Sequence, residues 1–218
     1  MNSKYYLTQK HFKDKKFAVI RNFISKERAN FLYNYTLTVC KSVAYKIENY
    51  PNSYDKDWDG NFQDKQCPNT FSRYGDPVME TLLLEMMPKM QQYTGMYLYP
   101  TYAYWRLYQK GDILYRHRDR KSCDVSTTLC LGYDSSNIQN FYNWSIYVED
   151  LENKKEIEIQ LNPGDVLIYR GCDLDHWRNK YEGLNHSQVF LHYNNYTNGC
   201  DNFLDDRIML GVPKGEIK

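Results

Sequence analysis

From Pro100 onward the chain is written almost entirely in short β-prone segments, and that run constrains the fold more than any other feature. Residues 101–108 are aromatic-rich, Lys110-Gly111-Asp112 reads as a turn, and 113–119 and 125–131 are extended. Residues 144–148, 157–161, 166–169 and 187–193 continue the series. Ile157, Ile159 and Leu161 alternate with Glu158 and Gln160, which predicts a strand with one wet face. Upstream, residues 17–20 form an apolar strand. Ser25 caps a helix reaching about Tyr45, with Phe31, Leu32, Tyr35 and Leu37 on its buried side. Residues 49–75, polar and broken by Pro51, Gly60 and Pro68, read as a long loop region. Asp76-Pro77 then opens a second helix with Leu82, Leu83, Met86 and Met90 as its apolar face, and Pro88 should kink it or end its first part. Helices followed by a run of strands predict a mainly β protein with N-terminal helices, its core a double-stranded β-helix of the jelly-roll, cupin-like kind.

Within that run, His117-Arg118-Asp119 and the later His176 supply three ligands for one metal ion. On an extended segment side chains alternate faces, so His117 and Asp119 point the same way while Arg118 points elsewhere. A third ligand must come from a distant strand, which a closed two-sheet roll can bring alongside. Two imidazoles and a carboxylate on one face of an octahedral Fe(II) leave the opposite face open to a cosubstrate and dioxygen. Against this stands a chance set of polar core and loop residues, since His-x-Asp alone is a weak signal.

At 218 residues the chain suits one substantial core. We expect a single domain over 1–218: helical support and a substrate-side loop over about 1–95, the jelly-roll catalytic core over about 96–195, and a C-terminal tail over 196–218. A net charge of +1 argues against a protein whose main task is to grip nucleic-acid backbone. Cys40, Cys67, Cys123, Cys130, Cys172 and Cys200 form no Cys-x-x-Cys pair, so reduced thiols in a cytosol are the simpler reading. The first sixteen residues are polar and lysine-rich and no segment is long and apolar enough to span a bilayer, so the expectation is a soluble cytoplasmic protein. The 22 tyrosines fit either an aromatic-lined groove or a compositional bias.

Asp55-Lys56-Asp57-Trp58-Asp59-Gly60 resembles the first half of a calcium-binding loop, but Gln66 stands where the bidentate glutamate belongs. A solvated acidic loop is one reading; a lid bringing Trp58 and Phe62 to a substrate is another. Arg120 and Lys121 follow the first two metal ligands, and Trp177 and Arg178 follow the last. These are candidate substrate contacts at the mouth or, equally, rim residues without a partner.

Taken together, Arg106-Leu107-Tyr108, His117-Arg118-Asp119, the strand Ser126 to Gly132, Pro163-Gly164-Asp165, and His176 followed by Gln188 to Tyr193 resemble the 2-oxoglutarate- and Fe(II)-dependent dioxygenases, near their prolyl-hydroxylase-like branch. The resemblance implies that His117, Asp119 and His176 bind iron, that Tyr108 hydrogen-bonds the cosubstrate, and that Thr128 lines the cosubstrate pocket. In many relatives an Arg or Lys a short way after the distal histidine pairs with the remote carboxylate of 2-oxoglutarate; here His186 holds that place. Either His186 is protonated there or another cation serves. Arg106, two residues before Tyr108 on the same strand face, is the leading substitute.

The resemblance thus implies an enzyme using Fe(II), 2-oxoglutarate and O2, with ascorbate as reductant, to hydroxylate an unactivated C–H on a prolyl or other protein side chain. A free amino acid or small metabolite is the next substrate class. A nucleic-acid oxidative demethylase is weakened by the balanced charge, and a non-catalytic jelly-roll binding module with a vestigial metal site is weakened by the complete ligand set. Oligomeric state is not legible.

Overall fold

The computed structural model describes residues 3–140, 142–198 and 203–213; Cys200 lies outside the described residues. The chain runs α1 (Ser3–Lys15), β1 (Phe17–Ile20), α2 (Lys26–Asn49), the single turn α3 (Lys56–Asp59), β2 (Asn61–Gln63), β3 (Pro68–Tyr74) and α4 (Pro77–Thr94). Then follow β4 (Leu98–Gln109), β5 (Leu114–His117), β6 (Val125–Asp134), β7 (Ile146–Glu149), β8 (Glu156–Ile159), β9 (Val166–Tyr169), β10 (His176–Arg178) and β11 (Asn185–Asn195).

The strands form two antiparallel sheets, a larger one in the order β1-β9-β6-β11-β4-β3-β2 and a smaller one in the order β5-β10-β7-β8. This is the predicted jelly roll. Strand alternation divides its residues cleanly. On the larger sheet, Ala103, Trp105 and Leu107 of β4, Leu129 and Leu131 of β6, and Val189 and Leu191 of β11 share one apolar cluster with Met79, Leu82, Leu83, Met86 and Met90 of α4 and Leu32 of α2. Each such side chain taken fully from water contributes about 1.5–3 kcal/mol, so the helices anchor the sheet's outer face. The intervening residues, Tyr102, Tyr104, Arg106 and Tyr108 of β4 and His186, Gln188, Phe190 and His192 of β11, turn the other way, into the roll.

The helix starts form where their caps predict: Ser25 accepts the Arg28 amide, and Asp76 accepts those of Val78 and Met79. Pro88 stands inside α4, which continues to Thr94; burial of Met90 and Tyr93 outweighs the roughly 3 kcal/mol an interior proline costs. Three expectations need correction. Phe31 is 67% exposed, because α2 buries Ala29, Leu32, Thr36 and Val43, a stripe that passes beside it. The 49–75 region contains β3, whose Thr70, Phe71 and Ser72 are buried beside β4, so polar residues there serve a sheet and not a loop. The three-residue β10 was hidden inside what read as a connection.

Part of the expected tail is structural as well. Arg207 makes a buried ion pair with Glu80 of α4 at 2.6 Å and donates to the Thr101 carbonyl at 2.9 Å, fixing 203–213 against β4.

Candidate active site

The site begins with a strand register. β5 and β10 pair so that His117 faces His176, with ring centroids 4.2 Å apart. Just past β5, the Asp119 amide donates to the Gly171 carbonyl at 2.9 Å, which turns the carboxylate toward both imidazoles. Asp119 Oδ1 lies 3.7 Å from His117 Nε2 and 3.6 Å from His176 Nε2. Three potential donor atoms therefore converge from two strands and one loop.

The tautomers follow from the partners. His117 Nδ1 lies 2.7 Å from the Tyr115 carbonyl, and His176 Nδ1 lies 3.1 Å from the Leu174 carbonyl. A carbonyl only accepts, so both Nδ1 atoms carry the proton and both Nε2 lone pairs face Asp119. The carboxylate is held in turn: Ser126 donates to Asp119 Oδ2 at 2.8 Å, leaving Oδ1 free, and His192 Nδ1 lies 2.9 Å behind Ser126 Oγ. Since the serine proton goes to Asp119, His192 donates to the hydroxyl. This is the outer shell a metal centre needs, fixing ring orientation and the choice of ligand atom. Burial alone would raise the Asp119 pKa, but His176, His192, the Ser126 hydrogen bond and His117 hold it below the ordinary carboxylate value. Burial pushes His176 down, so its imidazole is kept neutral and able to bind metal. The donor set and its supports fit Fe(II). A second grouping of Asp119, Cys123 and His192 shares the same carboxylate, but its members are engaged in the Ser126 and Tyr102 hydrogen bonds.

His117, Asp119 and His176 line a cavity of about 510 Å³. Its walls include Tyr102, Tyr104, Arg106, Phe190 and His192 from the larger sheet, Leu114 and Ile146 from the smaller, and Asn61, Gln63, Asp64, Lys65 and Gln66 from the segment around β2. Arg106 does not offer a free charge: its Nε donates to Asp64 at 2.8 Å and its Nη2 to Gln66 at 2.6 Å. Arg120 lines the mouth, stacks over Tyr102 at 4.7 Å and pairs with Asp205 at 2.7 Å.

Deeper in the roll, Tyr108 is fully buried against Trp144, and Thr128 donates to Gln188 at 2.9 Å. His186 is buried among Tyr133, Trp144 and Tyr181, and burial followed by the nearby Arg178 charge drives its pKa well below the usual histidine value. It is a neutral imidazole.

The candidate substrate residues disperse. Trp58 is 53% exposed on α3 and does not line the cavity, while Phe62 packs on Phe71; the following residues, from Gln63 to Gln66, reach the cavity instead. Trp177 faces outward, stacked on Tyr147 with Arg116 above it. Arg178, alternating back, is buried inside.

Sequence reasoning missed Ser126, Gly171, Tyr169 and Asp64. Ser126 was within reach, since it shares a strand face with Thr128. Gly171 was not: a Cβ there would overlap Asp119 and lie 2.6 Å from Ser126 Oγ, a collision visible only once the strands are assembled.

The chain is a double-stranded β-helix with two histidines and an aspartate at one mouth of the roll. Among solved structures, the fold is shared with a Pseudomonas putida prolyl-4-hydroxylase (TM-score 0.60, 13% identity, covering 88% of this chain and 98% of that one). It is shared with HygX from Streptomyces hygroscopicus, bound to nickel and 2-oxoglutarate (TM-score 0.57, 14% identity, 89% and 87% covered). It is shared too with SnoN, a non-haem α-ketoglutarate-dependent epimerase of nogalamycin biosynthesis (TM-score 0.64, 10% identity, 100% and 98% covered). No protein-family model and no curated protein sequence matches the chain.

Proposed function

We propose that this protein is a 2-oxoglutarate- and Fe(II)-dependent dioxygenase that hydroxylates an unactivated C–H bond, on a prolyl or other protein side chain. The observation that carries this is the convergence of His117 Nε2, His176 Nε2 and Asp119 Oδ1 on one point of the cavity, with both imidazole tautomers set for metal binding. His117, Asp119 and His176 would hold the iron. Bound Fe(II), with 2-oxoglutarate and O2, supplies an oxidant that places one oxygen atom on the substrate carbon and the other in succinate, with loss of CO2.

The chain's own residues do the rest. Tyr115, Leu174 and Ser126 hold the three ligands in one orientation. The aromatic walls, Tyr102, Tyr104 and Phe190, shield the reacting carbon from water. Arg118 and Arg120, their side chains each half exposed, stand at the mouth, where a peptide would enter. A second reading, hydroxylation of a small metabolite, is favoured by the polar side chains of Gln63, Lys65 and Gln66 in the wall, which would meet a small polar ligand beside His117, Asp119 and His176.

The purified protein with Fe(II), ascorbate and 2-oxoglutarate is expected to form succinate slowly without substrate, and His176→Ala to abolish it. Peptides that raise the wild-type rate would select the first reading, small polar metabolites the second. Absence of both succinate and metal-dependent 2-oxoglutarate binding would reject the dioxygenase and favour a binding module.

A further inference from the structure

Among the described residues, Arg178 is the one deeply buried cation in the roll whose charge no carboxylate answers. It is 1% exposed. Its Nη1 donates to the Trp144 carbonyl at 2.6 Å and its guanidinium lies 4.8 Å from the Trp144 ring centre, but Nε and Nη2 make no hydrogen bond among the described residues. No carboxylate of the described residues forms an ion pair with it. Arginine stays protonated in proteins, so this is a full positive charge in a low-dielectric interior, a state that ordinarily persists only with a counter-anion. The other buried arginines differ: Arg106 has Asp64, and Arg207 has Glu80.

The place of this charge is informative. Arg178 follows His176 by two residues on β10, so both side chains enter the roll from the same strand face, roughly 7 Å apart along it. An extended five-carbon keto diacid spans a comparable distance. Leu114, opposite Arg178 in the β5 register, and Ile146 line the metal cavity, so the guanidinium lies behind the cavity wall next to the metal ligands. Tyr108 and Tyr169 are its electrostatic neighbours, and the Tyr169 hydroxyl also lies 3.4 Å from His176 Nε2. His186, which stands where a cation was expected, is a neutral ring against Trp144 and Tyr181.

We infer that Arg178, and not Arg106 or His186, binds the remote carboxylate of the keto-acid cosubstrate, the cation having moved from β11 to the strand that carries the distal metal ligand. The inference rests on the proposed dioxygenase reading. Nε and Nη2 donate to the carboxylate as a fork, Tyr108 flanks it, and the keto-acid end remains at the metal.

Equilibrium titration of the anaerobic Fe(II) protein with 2-oxoglutarate and with 2-oxobutyrate, which lacks the second carboxylate, tests this without turnover. Wild type should prefer the diacid by roughly 10- to 100-fold, the worth of a charged hydrogen-bonded pair. Arg178→Gln should erase that preference and leave 2-oxobutyrate binding intact, and Arg106→Gln should keep it. Arg178→Met, which removes a buried charge the apo protein leaves unanswered, guards against a glutamine variant that does not fold. Retention of the preference in either folded variant would overturn the inference and leave the dioxygenase standing. Failure of wild type to bind either keto acid would overturn both.

Discussion

At the scale of single residues, the proposed metal site depends on groups that would never touch the metal. Gly171 is the sharpest case: its carbonyl holds the Asp119 amide, and any side chain there would occupy the space of Asp119, the Cys123 carbonyl and Ser126 Oγ. Gly171→Ala should therefore weaken Fe(II) binding by about 10- to 100-fold, the range found when outer partners of a metal site are disturbed. Metal titration with a competing chelator would measure it, and unchanged affinity would mean that the 170–172 backbone gives way freely. Ser126 acts through choice of oxygen, since its bond to Oδ2 leaves Oδ1 for the ion. The tyrosine excess also resolves at this scale: Tyr102, Tyr104 and Tyr108 line or underlie one cavity, while Tyr6, Tyr45, Tyr50 and Tyr115 are exposed without any such role.

At the scale of elements, the short β10 does more than its length suggests. Its three residues point in, out and in: His176 to Asp119 and His117, Trp177 to the outer stack, Arg178 to the interior. The segment around β2 forms the opposite wall and is tied down by one buried ion pair. Burial alone would raise the Asp64 pKa, but Arg106, the Tyr104 hydroxyl and the Gln66 amide hold it below the usual carboxylate value. Arg106→Ala strands that carboxylate and should lower stability by about 3 kcal/mol or more. Urea unfolding would read the loss, and faster proteolysis between residues 61 and 67 would show that the wall itself had come free. A variant as stable as wild type would show that Gln66 and Tyr104 suffice to hold it.

At the scale of the whole molecule, closing two sheets around polar side chains makes stability depend on acid. Burial pushes the His192 pKa down to about 4 and that of His186 well below the usual value. The unfolded chain takes up protons near pH 6.5 while the folded protein does not, so stability is full above that value and falls as the pH drops toward 4. For His192 alone the loss approaches about 3 kcal/mol. Urea midpoints measured across pH 4 to 7 should show this slope, and His192→Gln should flatten it; an unchanged slope would place the acid sensitivity elsewhere. No helix among the described residues is long and apolar enough to cross a membrane.

What the sequence determined by itself was whatever short-range periodicity and spacing encode. Alternation marked the strands, Ser25 and Asp76 marked the helix starts, and the two-residue step from His117 to Asp119 put both ligands on one face, because these depend on backbone geometry within a few residues. What the tertiary structure alone decided was the pairing of charges and the fit of neighbours. Arg106 and Arg178 are equally plain arginines in the sequence, and both enter the roll. Only the folding of the 61–67 segment over β4 brings Asp64 to one of them, and only the register of β10 leaves the other without a carboxylate among the described residues. A counter-ion contributed from far along the chain leaves no local pattern. The same reason hid Gly171: the atoms it must avoid belong to the 119–126 stretch, far earlier in the chain, which meets it only when the roll closes.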